Sequence, residues 1–77
     1  MMSWVEIRLQ YILDSKGITK RELSRRTTIR HSTINEMCNN TAKQIPLKNI
    51  VSICDELDID IIDLFKYHKD DSKKEEV

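Results

Sequence analysis

KRELSRRTTIRHSTINEM, residues 20–37, decides how the rest of the chain is read. It gathers five Arg and Lys residues against two Glu inside a chain whose formal net charge is zero. Thr19 just ahead of it and Glu22 within it form a capping-box pattern, in which a hydroxyl and a carboxylate satisfy free amides at a helix start. Leu23 and Thr27 give that helix a short inward face, and the pattern breaks near Thr27 and Thr28. A second helix follows, with Ile34, Met37 and Cys38 at i, i+3 and i+4 and with His31, Ser32, Asn35 and Glu36 on the opposite side. It ends at Asn39 and Asn40, since Asn tolerates the left-handed backbone that Gly would otherwise supply. The stretch therefore reads as two short helices joined by a tight turn, the second with one face in a core and the other offered to solvent.

Working toward the N-terminus, Ser3 and Glu6 repeat the capping-box pattern, and Val5, Leu9, Ile12 and Leu13 make one apolar stripe before Gly17. A first helix is expected over Trp4 to Lys16. Toward the C-terminus, Pro46 suits a helix start because it lacks an amide hydrogen that would be unpaired there. Leu47, Ile50, Val51, Cys54 and Leu57 then form the most apolar helix, closed by Asp58, and Asp60 caps a last short helix containing Ile61, Ile62, Leu64 and Phe65. No stretch reads as a strand with a partner. The expectation is an all-α, five-helix orthogonal bundle over residues 1–68, followed at 69–77 by a charged tail without apolar period that should be disordered.

Seventy-seven residues allow one small domain with one core and leave little room for a catalytic cleft. The chain is 39% hydrophobic and 34% charged, with one Gly and one Pro, as suits a helical domain. No run approaches the roughly 18 apolar residues of a membrane helix, and no signal-peptide pattern is present, so the expectation is a cytoplasmic protein with no membrane partner. Cys38 and Cys54 fall at apolar helical positions and not in a CxxC pair, which reads as core thiols and not as a disulfide or zinc site. No metal or cofactor is expected. There is no nucleophile–base pair at a recognisable spacing, no phosphate loop and no carboxylate pair on a cleft, so an enzyme is not expected either.

Charge is unevenly placed. Residues 16–48 hold eight bases and two acids (+6), whereas residues 49–77 hold four bases and nine acids (−5). A basic middle can draw an anionic partner to one surface, or it can be a solvated helix face. For Arg21, Arg25 and Arg26 both readings stand.

Helix, turn and helix, with the second exposed on its polar side, make a helix-turn-helix over about residues 19–39. The chain here resembles the Cro and phage-repressor type of helix-turn-helix regulators, also called XRE-type, with a lambda-repressor-like fold. The likeness runs from Arg8 to Tyr67. It is carried by Gly17-Ile18-Thr19, Leu23, Ile29, Ser32-Thr33-Ile34, Asn39, Leu47, Ile50, Cys54, Leu57 and Asp63-Leu64.

The resemblance implies a sequence-specific DNA-binding domain whose second motif helix lies in the major groove while the first crosses the backbone. Matched position by position, it places His31, Ser32, Asn35 and Glu36 at base edges. Thr19 and Lys20 at the start of the first motif helix, Arg30 at the start of the second, and Asn39, Asn40 and Lys43 beyond it fall at phosphates. Glu36 is unusual, because a carboxylate near phosphate is unfavourable unless it accepts from a cytosine amino group.

The departures are specific. Thr28 stands at the turn where the family usually has a left-handed Gly, Ser24 replaces a common Ala, and Arg30 takes a Ser/Thr cap position, which together predict a less rigid motif. Leu13 and Cys38 replace an Arg and a Glu that pair internally in many relatives. Both positions have turned apolar together, and contact between them is expected.

Two functions follow from these readings. One is a transcriptional regulator, a repressor by resemblance, bound to an operator as a homodimer. Its dimer would form through Ile59, Ile61, Ile62, Phe65 and Tyr67 or through Met1, Met2 and Trp4, unless these residues merely close a thin core. The other is a protein-interaction module, such as an antitoxin, antirepressor or adaptor, favoured by the zero net charge, by Glu36 and by the acidic C-terminal third.

Overall fold

The computed structural model describes residues 3–70. The order of elements is β1 (Trp4–Ile7), α1 (Leu9–Lys16), α2 (Lys20–Thr27), α3 (His31–Cys38), α4 (Leu47–Leu57), α5 (Ile61–Leu64) and β2 (Phe65–His68). Five helices stand where five were expected, but the fold is not purely α.

β1 and β2 pair antiparallel, with Trp4 opposite His68, Val5 opposite Tyr67, Glu6 opposite Lys66 and Ile7 opposite Phe65. This corrects both the all-α expectation and the start of the first helix. The Ser3–Glu6 capping box does not form. Instead Glu6 Oε1 lies 2.8 Å from His68 Nε2, the Trp4 and His68 rings stack with centroids 4.5 Å apart, and Ser3 Oγ accepts from the Asp70 amide. Trp, Val, Ile, Phe and Tyr suit a pleated surface, and Ile7 with Phe65 turns toward the core. A strand whose partner lies some sixty residues away leaves no local period, and Val5 had continued the helical stripe equally well. Past Ile7 the pairing closes with Arg8 N donating to Leu64 O at 2.8 Å.

The core is a single cluster of Ile7, Leu9, Ile12, Leu13, Leu23, Ile29, Ile34, Met37, Cys38, Ile53, Leu57 and Leu64. Leu13 and Cys38 both belong to it, as α1 packs on α3, and no polar or charged residue is buried among those described. An unpaired charge at either position would have cost several kcal/mol, of the order of 3–5. Burial pushes the Cys38 thiol up from its ordinary pKa.

α4 rotates differently from the expected stripe. Ile53 is fully buried, whereas Leu47 is 78% exposed and Val51 58% exposed. Ile50, Ile53, Cys54 and Leu57 form the inward face at helical spacing, and on so apolar a helix only docking selects between two overlapping stripes.

Three helix ends and turns use left-handed non-glycine residues: Thr28 (φ 60°), Asn40 (φ 60°) and Asp58 (φ 57°). Gly17 (φ 70°) ends α1 as expected. α5 begins with the reciprocal cap of Asp60 and Asp63, the Asp60 amide donating to Asp63 Oδ2 at 3.0 Å. Met1, Met2 and residues 71–77 of the expected tail lie outside the described residues.

Candidate nucleic-acid interface

α2 begins at Thr19, whose Oγ1 accepts from the Glu22 amide at 3.0 Å. The reciprocal half of the expected box is missing because the Glu22 carboxylate turns to Arg25 (2.6 Å) and Arg26 (2.9 Å). Hydrogen bonds from Arg25 and then Arg26 hold that carboxyl below its ordinary pKa. Arg26 also reaches Glu56 of α4 at 3.4 Å. Of the three helix-α2 arginines that could have been either a wet face or a DNA contact, two are thus engaged in ion pairs on the protein itself.

The turn from Thr28 to Arg30 is braced. Ser24 Oγ donates to the Ile29 carbonyl at 2.5 Å, Thr27 Oγ1 donates to Leu23 O at 2.8 Å, and Ile29 N donates back to Thr27 Oγ1 at 3.3 Å. Ser24, where the family commonly has Ala, therefore ties the left-handed turn to α2, a brace that the sequence reading did not foresee. It works against the looseness expected from Thr28.

α3 buries Ile34, Met37 and Cys38 and leaves His31, Ser32 and Glu36 exposed with Asn35 half-buried beside them. The four side chains proposed for base edges share one solvent-facing side of one helix. Among the described residues no side chain pairs with the Glu36 carboxylate, which leaves its acceptors available. Lys20, at the first position of α2, crosses to α3 and donates from Nζ to Asn35 Oδ1 at 3.0 Å. His31 joins Thr19, Lys20 and Arg21 along one open cleft between α1, α2 and α3, so the start of α2 and the start of α3 form a continuous surface.

Arg30 stands exposed at the start of α3 and makes no side-chain cap. It shares a second depression with Thr33, Lys48, Asn49 and Ser52, which brings the start of α4 next to the turn. Lys48 was missed by the sequence reading; its signal was a base two residues beyond Pro46, at a helix start. Thr19, Asn39 and Lys43 are exposed at the flanks.

Asn40 Oδ1 accepts from Ile7 N at 2.7 Å and its Nδ2 donates to Ile7 O at 3.1 Å, so the Asn40 side chain, though exposed, also clamps β1 to the end of α3.

Along α4 and the start of α5, Ile50, Val51, Cys54, Ile59 and Ile61 line an open groove rimmed by Asp55, Asp58 and Asp60. Of the residues expected to form a dimer face, Ile59 and Phe65 pack against the core, while Ile61, Ile62, Tyr67 and Trp4 remain exposed.

A model of the Cro/C1-type HTH DNA-binding domain matches residues 8–70. The fold is similar to that of a Bacteroides fragilis protein described as DNA-binding, at 25% identity and a TM-score of 0.73, covering 82% of this chain and 100% of that one. It is also similar to the transcriptional regulator VanUg, at 20% identity and a TM-score of 0.71, covering 91% of this chain and 92% of that one. Among curated proteins, none matches.

Proposed function

Because the chain belongs to the Cro/C1-type helix-turn-helix DNA-binding domains, we propose that it is a sequence-specific transcriptional regulator, a repressor, that reads the major groove with α3. The observation that carries this reading is the one-sided surface of α3. His31, Ser32, Asn35 and Glu36 face solvent together, flanked by Thr19, Lys20, Arg30, Asn39 and Lys43. Cations at the flanks of a groove-lying helix draw phosphate, and short polar side chains along it reach base edges. Lys48 joins the phosphate set through its place beside Arg30.

A homodimer fits this function, since one small domain makes few contacts and two recognition helices about 34–36 Å apart would read successive half-sites. Exposed Leu47, Val51, Ile61 and Ile62 on α4 and α5 supply apolar surface for it, and Trp4, Val5 and Tyr67 on the sheet supply a second patch. The acid-rimmed groove on the same helices favours a second reading, a domain that binds a protein through α4 and α5.

Selection of bound sequences from a random duplex pool tests both. Recovery of a two-fold symmetric motif supports the dimeric regulator, a single half-site supports a monomer, and recovery of nothing leaves the protein-binding reading.

A further inference from the structure

We propose that Lys20 and Asn35 work as one donor-only reader that selects guanine, which makes Lys20 a specificity-determining residue and not merely a phosphate contact. The inference rests on the reading that α3 lies in the major groove.

The Lys20 ammonium has three donors and no acceptor, so it can meet only the oxygen end of the Asn35 amide. The 3.0 Å bond from Nζ to Oδ1 therefore fixes which way round that amide sits, because the flipped amide would set two donors against each other. Asn35 is left presenting its NH2 group. Lys20 keeps two further N–H donors beside it, and both side chains are only half-buried at the crossing of α2 and α3.

An unrestrained asparagine on a recognition helix is an adenine reader: its oxygen accepts from N6 while its NH2 donates to N7. Here that oxygen already accepts from the Lys20 ammonium, whose charge and remaining hydrogens disfavour a second donor such as adenine N6 beside it. What remains is a pair of adjacent donors, and guanine alone offers two adjacent acceptors, N7 and O6, on its major-groove edge. Adenine would set its N6 amino group against the ammonium, cytosine offers a donor, and thymine offers one acceptor beside a methyl group. The charge on Lys20 strengthens a bond to an acceptor and penalises a donor more than a neutral partner would.

The test is selection from a random duplex pool with the whole chain and three variants, each checked for retained helicity by circular dichroism. Asn35→Ala identifies the operator position at which base preference disappears. At that position the unaltered chain should select guanine, Lys20→Met should move the preference toward adenine by roughly tenfold or more, as one good base contact allows, and Lys20→Arg, again donor-only, should keep guanine. Adenine selected by the unaltered chain, or guanine selected equally by Lys20→Met, overturns the proposal while leaving DNA binding by α3 intact. If the unaltered chain selects no sequence at all, the major-groove reading fails and the donor-only reader fails with it.

Discussion

The Asn40 side chain holds Ile7 by both of its polar atoms, Oδ1 accepting from the Ile7 amide at 2.7 Å and Nδ2 donating to the Ile7 carbonyl at 3.1 Å. One residue thereby joins the end of α3 to the N-terminal strand, 33 positions away. Its backbone is left-handed, as are those of Thr28 and Asp58, yet Asn40 should answer differently from the other two to the same substitution.

Glycine relieves a left-handed backbone at Thr28 and Asp58, where the strain is roughly 1–2 kcal/mol for a residue with a Cβ and part of the gain is lost to unfolded-chain entropy. Thr28→Gly and Asp58→Gly should each stabilise the fold by about 0.5–1 kcal/mol, raising Tm by a few degrees in thermal unfolding followed by circular dichroism. Asn40→Gly gains the same relief but leaves the Ile7 amide and carbonyl without partners, at a cost of about 1–3 kcal/mol. A Tm for Asn40→Gly at or above that of the unaltered chain would remove the clamp from the account.

On the proposed reading Lys43 and Arg30, both exposed, meet the phosphate backbone, a kind of contact that carries no sequence information. Lys43→Ala and Arg30→Ala should weaken binding to every duplex by similar factors and lower the salt dependence of log K by about one unit each. Glu36→Ala should behave in the opposite way, raising affinity for unrelated duplexes while relaxing one position of the preferred motif. Titrations at three salt concentrations against matched and scrambled duplexes measure both effects.

The thiols set an alkaline limit. Cys38 is raised in pKa by burial above all, with Asp14 adding to the shift and Lys20 opposing it, while Cys54 is raised first by desolvation and then by Asp60, Asp55 and Asp63. A folded-state pKa above the unfolded one means that the native state holds its protons more tightly, so this stability is fully present below the unfolded pKa and is lost as pH rises through the folded one. Urea unfolding should show it falling from about pH 9 upward. The Cys38→Ala, Cys54→Ala double variant, though less stable throughout, should lack that part of the slope. At pH 8 the half-exposed Cys54 should react with a thiol reagent well before the buried Cys38.

Trp4 is the one tryptophan of the chain and lies stacked on His68, with interplanar angle 12°. Its fluorescence therefore reports strand pairing separately from the helices. His68→Ala should alter Trp4 emission with little change in helical circular dichroism. Because the Glu6–His68 pair is about a third exposed at each partner, a double-mutant cycle should find a coupling of only about 0.2–1 kcal/mol.

Much of the helix-turn-helix motif was legible in local pattern. Thr19 and Asp60 announce helix starts, Gly17, Asn40 and Asp58 announce ends, and Ile34, Met37 and Cys38 orient α3, because caps and helical periods act over three or four residues. That same orientation puts His31, Ser32 and Glu36 outside. For α4 the local signal was ambiguous, since Leu47 and Val51 compete with Ile53 for the inward face, and only packing against the other helices decided for Ile53.

By itself, then, the sequence determined the helices of the motif, the side of α3 that faces solvent and the concentration of positive charge around it, since each depends on neighbours along the chain. The tertiary structure alone decided the rest. It paired Trp4–Ile7 with Phe65–His68, clamped Asn40 to Ile7, brought Lys48 beside Arg30 and set Lys20 against Asn35. These are meetings of side chains and strands held apart by the chain and brought together by burial of one common core, and no period along the sequence encodes them.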